Sequence, residues 1–188
     1  MKIFTVRHGQ TEWNAQRRMQ GHTDIGLDET GREQARKIGA RLADEQVEII
    51  YTSDLSRAAD TAAAINAHHD VEIIATPALR ESSFGIYEGR VYDEVFEEIN
   101  WDFPDGGESA DEKFARIHKC LDEILAGRHE NVVIVGHHGT VKAVICYFLG
   151  LAPSERHRFA IGNTAIHCFE KDADGKWAMT LENDTDHL

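Results

Sequence analysis

The sequence predicts an α/β fold of three layers, in which a mostly parallel sheet is flanked by helices and ends in an antiparallel edge hairpin near the C-terminus. Short apolar runs alternate with stretches of helical periodicity. The run at 132–135 is apolar on both faces, which is typical of a central parallel strand. The runs 166–169 and 177–181 flank Asp174-Gly175, a hairpin turn signal. We expect the 188 residues to form a single domain.

The first half of the chain contains three predicted strands and two predicted helices. The strands cover residues 3–6, 49–52 and 71–74, and the helices cover residues 29–44 and 55–67. Thr30 and Glu33 have the spacing of a capping box, which predicts that they cap the first of these helices.

The second half begins with a segment of little regular pattern, residues 82–110, in which a short helix is predicted at 93–99. A turn is expected at 104–107, and Ser109 is a candidate helix cap. Apolar residues at helical spacing follow from Phe114 to Leu125, and another helix is predicted at 140–149 after the central strand.

Composition and charge exclude several classes of partner and location. The formal net charge of −13 argues against nucleic acid and anionic membrane as partners, and no apolar run is long enough for a membrane span. The N-terminus lacks the apolar core of a signal peptide, so a cytoplasmic location is expected. Cys120, Cys146 and Cys168 are far apart in apolar stretches and are predicted to be core residues, and no metal or cofactor is expected.

Polar residues follow four predicted strands at the points where the strands end. They are Arg7 and His8, the segment 54–57, Arg80 with Glu81, and the segment 136–139. In a parallel sheet the carboxyl ends of the strands meet at one edge, which is where ligands bind. We therefore expect these four groups to form one site.

The residue types in this set suit the transfer of a phosphoryl group. Arg7 and Arg57 can each bind phosphate oxygens through two hydrogen bonds, which an acidic protein needs at an anion site. His8 can attack phosphorus as a neutral imidazole, and Gly9 allows a close backbone approach. Glu81 can donate the proton to the leaving oxygen if its pKa is raised. Taken singly, each of these residues more often has an ordinary loop, ion-pair or core role, and it is their occurrence together at four strand ends that favours a functional site.

Longer motifs make the chain similar to the histidine phosphatase superfamily, also called the phosphoglycerate-mutase-like family. The segment 7–14 reads Arg-His-Gly-Gln-Thr-Glu-Trp-Asn, and 53–61 has the pattern Ser-x-Leu-x-Arg-Ala-x-x-Thr. The segment 79–89 resembles the family's acid-bearing loop, and the segments 107–109 and 133–137 complete the order. The resemblance covers nearly the whole chain.

The resemblance implies a phosphomonoester hydrolase that acts on a small phosphorylated metabolite, without a metal, through a phosphohistidine. The chain resembles the small phosphatase branch, which includes broad-specificity and α-ribazole phosphatases, and a monomer or homodimer is expected. The implied catalytic residues are His8, Glu81 and His137, and the implied phosphate- or substrate-binding residues are Arg7, Asn14, Gln20, Gly21, Arg57 and His138. His138 stands where many relatives carry glycine, and its imidazole is expected to point away from the site, because neighbours in an extended segment face opposite ways.

Three alternatives remain open at this point. A mutase would return the phosphate to a sugar acid, a zinc hydrolase would use His8, His137, His138 and a carboxylate as ligands, and a binding module would keep only the phosphate pocket. The substrate is also open. A second acidic group could be held by Arg17, Arg18 and Arg90, although exposed arginines are more often simply solvated. A lid over a bulky leaving group could be formed by Tyr87, Tyr92, Phe96, Trp101 and Phe103, which could equally pack under a loop.

Overall fold

One six-stranded sheet organises the protein, and the computed structural model describes all of residues 1–188. The strands are β1 (Lys2–Arg7), β2 (Ile49–Ser53), β3 (Glu72–Thr76), β4 (Asn131–Gly136), β5 (Ile166–Lys171) and β6 (Trp177–Asp184). Their order is β3-β2-β4-β1-β5-β6; the first four are parallel to one another, and β5 and β6 are antiparallel additions. The predicted fold class is confirmed.

Helices cover both faces of this sheet. They are α1 (Glu12–Ala15), α2 (Glu29–Leu42), α3 (Ser56–Asn66), α4 (Tyr92–Val95), α5 (Ala110–Leu125) and α6 (His138–Leu149). Apolar residues of α2 and α3 pack with one face of the sheet, and those of α5 and α6 pack with the other. The three cysteines are unpaired and buried in these two layers, as predicted.

The ends of the long helices follow from local hydrogen bonds. Ser109 caps α5 in a capping box with Glu112, which confirms the candidate cap. For α2 the prediction was wrong, because Asp28 is the cap and accepts the N–H of Gly31. Asp28 still has extended backbone geometry, whereas Thr30 already lies inside the helix.

Most element boundaries differ from the predictions by a few residues, and α6 begins at His138 rather than at 140. The third strand is Glu72–Thr76 rather than 71–74, and the helix predicted at 93–99 is the single turn Tyr92–Val95. Short 3₁₀ segments lie at Pro77–Leu79, Gly85–Tyr87 and Pro153–Arg158. No helix of the structure combines the length and apolar character needed to cross a membrane.

The carboxyl ends of the parallel strands place the predicted polar groups at one edge. β4 lies between β1 and β2, and Arg7 at the end of β1 is level with Gly136 at the end of β4. The residues that follow these strands, His8 and His137, are therefore neighbours, with the start of α3 beside them. Backbone hydrogen bonding continues past the strands, since the N–H of His8 donates to the carbonyl of Gly136 at 2.9 Å.

Candidate active site

His8 is buried at the floor of a cavity of about 490 Å³, with only 3% of its surface exposed. Its Nδ1 lies 2.6 Å from the carbonyl oxygen of Gly9. A carbonyl can only accept, so Nδ1 carries the hydrogen, and Nε2 keeps its lone pair and has no protein partner. Burial, and then the charges of Arg7 and Arg57, hold the pKa of His8 well below its ordinary value of 6.5. The ring is therefore a neutral imidazole whose free nitrogen is Nε2.

His137 stands beside His8, with the ring centroids 5.1 Å apart. Arg57 Nε donates to His137 Nδ1 at 3.2 Å, which leaves the hydrogen on His137 Nε2. That Nε2 is buried and has no hydrogen-bond partner. The structure thus fixes the tautomers of two adjacent histidines in opposite senses: one presents a lone pair and the other an N–H.

Arg57 is almost completely buried and is held by the loop before α2. Its two terminal nitrogens donate to the carbonyls of Thr23 and Gly21 at 3.0 and 2.8 Å. Gly21 has a φ of 56°, in the left-handed region that favours glycine. This loop and Gln20, which is buried and bonded to Thr11, also line the cavity.

Arg7 and Asn14 complete the buried end of the cavity. One terminal nitrogen of Arg7 donates to the carbonyl of Ile161 at 2.8 Å, but its Nε is buried without a partner. Asn14 uses its side-chain oxygen to accept from Thr11, so its amide N–H groups remain available as donors. Buried donors without acceptors are rare in folded proteins. An acceptor-rich anion bound here would satisfy them.

Glu81 lies at the side of the cavity with both carboxylate oxygens held by the backbone. They accept the N–H groups of Ser82 and Gly139 at 2.9 and 2.8 Å. Burial raises the pKa of Glu81, but the charge of Lys113 and the Gly139 N–H outweigh burial, so its pKa lies below its ordinary value. The sequence left the direction of this pKa shift open, and the structure gives a lowered pKa because an ammonium and two N–H groups surround the carboxylate.

Two glycines make these contacts possible. A β-carbon at Gly139 would collide with the carboxylate of Glu81. A β-carbon at Gly9 would lie 2.5 Å from the carbonyl oxygen of Gly31, so the close approach predicted there is made by α2 rather than by a ligand. The loop after β1 and the start of α2 are thereby packed against each other.

His138 lines the cavity, contrary to the expectation that it points away. The extended geometry behind that expectation ends at His137, and His138 is the first residue of α6, so the two rings do not alternate as in a strand. The side chain of His138 is exposed on the cavity wall, and partial desolvation there, with the charges of Lys142 and Arg7, lowers its pKa to about 4. A neutral imidazole thus lies beside Glu81.

The cavity wall opposite the sheet is aromatic. Phe84, Tyr92, Phe96 and Trp101 line it, and the ring of Trp101 lies 5.5 Å from Tyr92 and 5.9 Å from Phe96 between centroids. Of the other predicted lid residues, Tyr87 is buried in a small cluster with Met19, Val95 and Ile99, and Phe103 is exposed outside the cavity.

The three arginines considered for a second acidic group are not equivalent. Arg17 and Arg90 form surface ion pairs with Asp93 and Glu98 and do not line the cavity. Arg18 does line it and donates to the carbonyl of Gly89 at 2.7 Å.

The charge of the cavity is the reverse of that of the whole chain. Six cations and one carboxylate line it, in a chain with a net charge of −13; the cations are Arg7, Arg18, Arg57, Lys113, Lys142 and Arg156. Nowhere in the structure do three His, Cys, Asp or Glu side chains group as a metal site would require. The cavity therefore combines an excess of positive charge with a buried neutral imidazole that has one free ring nitrogen.

Comparison with known proteins identifies the family. Residues 3–185 match the model described as Histidine phosphatase superfamily (branch 1). The chain belongs to this superfamily. The resemblance expected from the sequence motifs is thereby confirmed.

Several individual histidine phosphatases and their relatives are similar to the chain over its length. Phosphoglycerate mutase-like protein 4 of Arabidopsis thaliana is 34% identical, with 100% of this chain and 86% of that protein covered. Phosphoserine phosphatase 1 of Hydrogenobacter thermophilus is 32% identical, with 91% and 88% covered. The crystal structure of phosphoserine phosphatase from Entamoeba histolytica in complex with 3-phosphoglyceric acid superimposes with a TM-score of 0.88, at 31% identity over 100% and 98% of the chains.

Some residues that shape this histidine phosphatase site were not singled out from the sequence. Thr61 accepts the N–H of Gly9 and donates to the carbonyl of Arg57, and Asn163 donates to the carbonyl of His8 at 3.0 Å. Glu88 accepts the N–H groups of His22, Thr23 and Phe84 and so holds the loop that carries Gly21. Thr61 and Glu88 fall within the family motifs, but their contacts depend on tertiary structure.

Proposed function

We propose that the protein is a phosphomonoester phosphatase that works without a metal through a phosphohistidine at Nε2 of His8. The observation that carries this proposal is the pairing of a free Nε2 lone pair on His8 with two buried, unpartnered donors, Arg7 Nε and His137 Nε2. A phosphate monoester has negatively charged oxygens for the donors and an electrophilic phosphorus for the lone pair. The substrate is a small phosphate ester, and the setting we propose is cytoplasmic.

In the first step, the lone pair of His8 Nε2 forms a bond to phosphorus while the bond from phosphorus to the ester oxygen breaks. Arg7, Arg57, Asn14 and His137 bind the non-bridging oxygens through the transfer. Glu81 gives its proton to the leaving oxygen, so that an alcohol rather than an alkoxide departs. The Gly9 carbonyl stabilises the positive ring of phosphohistidine through the Nδ1–H bond.

In the second step, water attacks the phosphorus and the bond to Nε2 breaks. Glu81, now ionised, accepts a proton from that water, and inorganic phosphate leaves. The lowered pKa of Glu81 suits this second role. For the first role, the arriving phosphate dianion raises the pKa of the carboxyl group by like-charge repulsion, which favours binding the proton it needs to donate.

The test is phosphate release by the His8→Ala variant, with p-nitrophenyl phosphate as substrate. We expect a loss of about 10⁴-fold or more in kcat, because no other side chain can replace the nucleophile. The matched control is His129→Ala, which removes a half-exposed histidine before β4. Unchanged release by His8→Ala would show that His8 is not the nucleophile.

Trapping the intermediate tests the covalent step separately. A substrate labelled in its phosphate should transfer the label to the wild-type protein, in a form that is stable in alkali and lost in acid, as a phosphoramidate bond requires. Activity that disappears in EDTA and returns only with a metal would instead support the zinc alternative.

A mutase is the second candidate, because relatives at 34% and 31% identity carry mutase names. A mutase must keep water away from the phosphohistidine. The rim of the cavity in this protein includes Phe96 and Trp101, which are 46% and 37% exposed, and this open rim favours hydrolysis. Stoichiometric release of phosphate from 3-phosphoglycerate, without a bisphosphate primer, would support the phosphatase.

A further inference from the structure

The loop of residues 77–83, which carries Glu81, is held from outside the cavity by Arg116 of α5. The terminal nitrogen Nη1 of Arg116 donates to the carbonyl oxygens of Ala78 and Arg80 at 2.7 and 3.2 Å. Its Nη2 lies 3.5 Å from the carbonyl oxygen of Glu81 itself. These carbonyls lie past the end of the β2–β3 ladder, so side chains rather than a neighbouring strand supply their donors. Arg116 therefore ties the main chain of the Glu81 loop to α5.

The guanidinium of Arg116 is itself oriented by Glu108. The two side chains form a two-point ion pair with distances of 2.7 and 2.6 Å, and only 23% of Arg116 and 17% of Glu108 are exposed. A bidentate pair fixes the plane of a guanidinium, which a single hydrogen bond does not. The N–H of Glu108 also donates to the carbonyl of Ser83 at 2.9 Å. The pair thus holds the main chain on both sides of Glu81.

Helix α6 holds the same loop from the other side. Thr140, which is fully buried, shares its hydroxyl hydrogen between the carbonyls of Leu79 and Arg80 at 3.2 and 3.0 Å. One residue earlier, the N–H of Gly139 binds the Glu81 carboxylate. The position of Glu81 therefore depends on α5 and α6 together.

Arg116 acts on this loop without reaching the substrate. The residues that line the cavity include Lys113, one turn earlier on α5, but not Arg116. The charge that chiefly lowers the pKa of Glu81 is that of Lys113, whereas the charge of Arg116 is matched by Glu108. The connection between Arg116 and the reaction is thus the location of the loop.

A general acid works only within hydrogen-bond reach of the atom that it protonates, about 2.6–3.2 Å, so small displacements matter. We propose that Arg116, oriented by Glu108, is a positioning residue that holds the carboxyl group of Glu81 within reach of the leaving oxygen. The inference rests on the proposed function, because it concerns the proton-donation step of that reaction. His8 and Arg57 follow other strands, so a shift of the Glu81 loop leaves them in place.

The experiment compares two esters that carry the same ring, p-nitrophenyl phosphate and phenyl phosphate. Nitrophenolate is a stable anion that leaves without much help, whereas phenolate needs a proton from the acid. Both esters give the same phosphohistidine, so the quantity compared is kcat/KM, which covers the reaction up to release of the alcohol. For Arg116→Met we expect kcat/KM to fall about 10- to 30-fold with phenyl phosphate and less than about twofold with p-nitrophenyl phosphate.

Two further variants test the geometry of the pair. Arg116→Lys keeps the charge but not the two-point contact, and it should lose about three- to tenfold on phenyl phosphate alone. This variant also carries the comparison if Arg116→Met fails to fold. Glu108→Gln should change kcat/KM in the same direction, because it weakens the contact that orients Arg116. Arg90→Met is the matched control, since Arg90 forms a bidentate pair with Glu98 on the exposed surface. The control should leave both esters unaffected.

Glu81→Gln separates a failure of this inference from a failure of the proposed function. It should lower kcat/KM for phenyl phosphate by about 10²-fold and that for p-nitrophenyl phosphate much less. If Glu81→Gln shows this selective loss while the Arg116 variants lose equally on both esters, or on neither, the positioning role is overturned and the acid role of Glu81 stands. If Glu81→Gln shows no selective loss, Glu81 is not the general acid and both assignments are wrong.

Discussion

The two ends of the cavity are built in different ways. The phosphate end consists of Arg7, His8, Arg57 and His137, all at least half-buried and positioned by strand ends and backbone carbonyls. The proposed leaving-group end consists of the aromatic wall, from residues 84–101, and of Lys113 and Lys142, from α5 and α6. Fixed donors suit a reaction whose phosphoryl group never changes, and an open wall suits the recognition of variable alcohols.

Apart from the loss of His8 itself, the largest effect should come from replacing Arg57, which connects His137 to the loop at Gly21. Arg57→Lys keeps the charge but loses the Nε–H donor to His137 and the fork that binds two carbonyls. We expect kcat/KM for p-nitrophenyl phosphate to fall by about 10²- to 10³-fold. Arg36→Lys on the exposed surface of α2 is the control, with no expected loss. Activity near the wild-type level in Arg57→Lys would mean that charge alone suffices at the phosphate end.

We also expect the folded protein to lose stability in acid, because histidines are buried in the sheet and next to it. His8 and His137 follow the neighbouring strands β1 and β4, and His167 lies on the next strand, β5. Burial lowers the pKa of His167 to about 4, and neither of its ring nitrogens has a partner. Between pH 4 and 6.5 the unfolded chain therefore binds a proton that the folded chain does not, so stability falls as pH falls through this range.

For His167 alone, this difference lowers the free energy of unfolding by about 2 kcal/mol between pH 7 and pH 5. His167→Leu should remove this part of the decrease, whereas His129→Leu, at a half-exposed position, should not. Urea unfolding at pH 5, 6 and 7 gives the free energy of unfolding of the wild type, His167→Leu and His129→Leu. An equally steep decrease in His167→Leu and wild type would show that His167 is not buried in the neutral form.

The difference between the two ends of the cavity also explains which parts of the site could be predicted from sequence. His8, Glu81 and His137 follow apolar strands, and the parallel order of those strands brings the loops together. The position of Lys113 in the cavity could not be predicted. It precedes Phe114 on a helix whose apolar face is core, and its burial depends on which elements pack beside α5 in the folded protein. The orientation of His138 depended on where α6 begins, which sequence patterns define poorly.

The smallest effect should come from the aromatic wall. Trp101 is 37% exposed and contacts Phe84, Tyr92 and Phe96 through ring edges, so its removal opens the rim without disturbing the buried donors. Trp101→Ala should raise KM for 1-naphthyl phosphate about three- to tenfold more than KM for phosphoethanolamine, because only the naphthyl ring loses apolar contact. Phe103→Ala is the matched control, an exposed aromatic residue outside the cavity. Equal changes in KM for both esters would mean that Trp101 supports the shape of the whole cavity, and the wall would then not be a separate recognition surface.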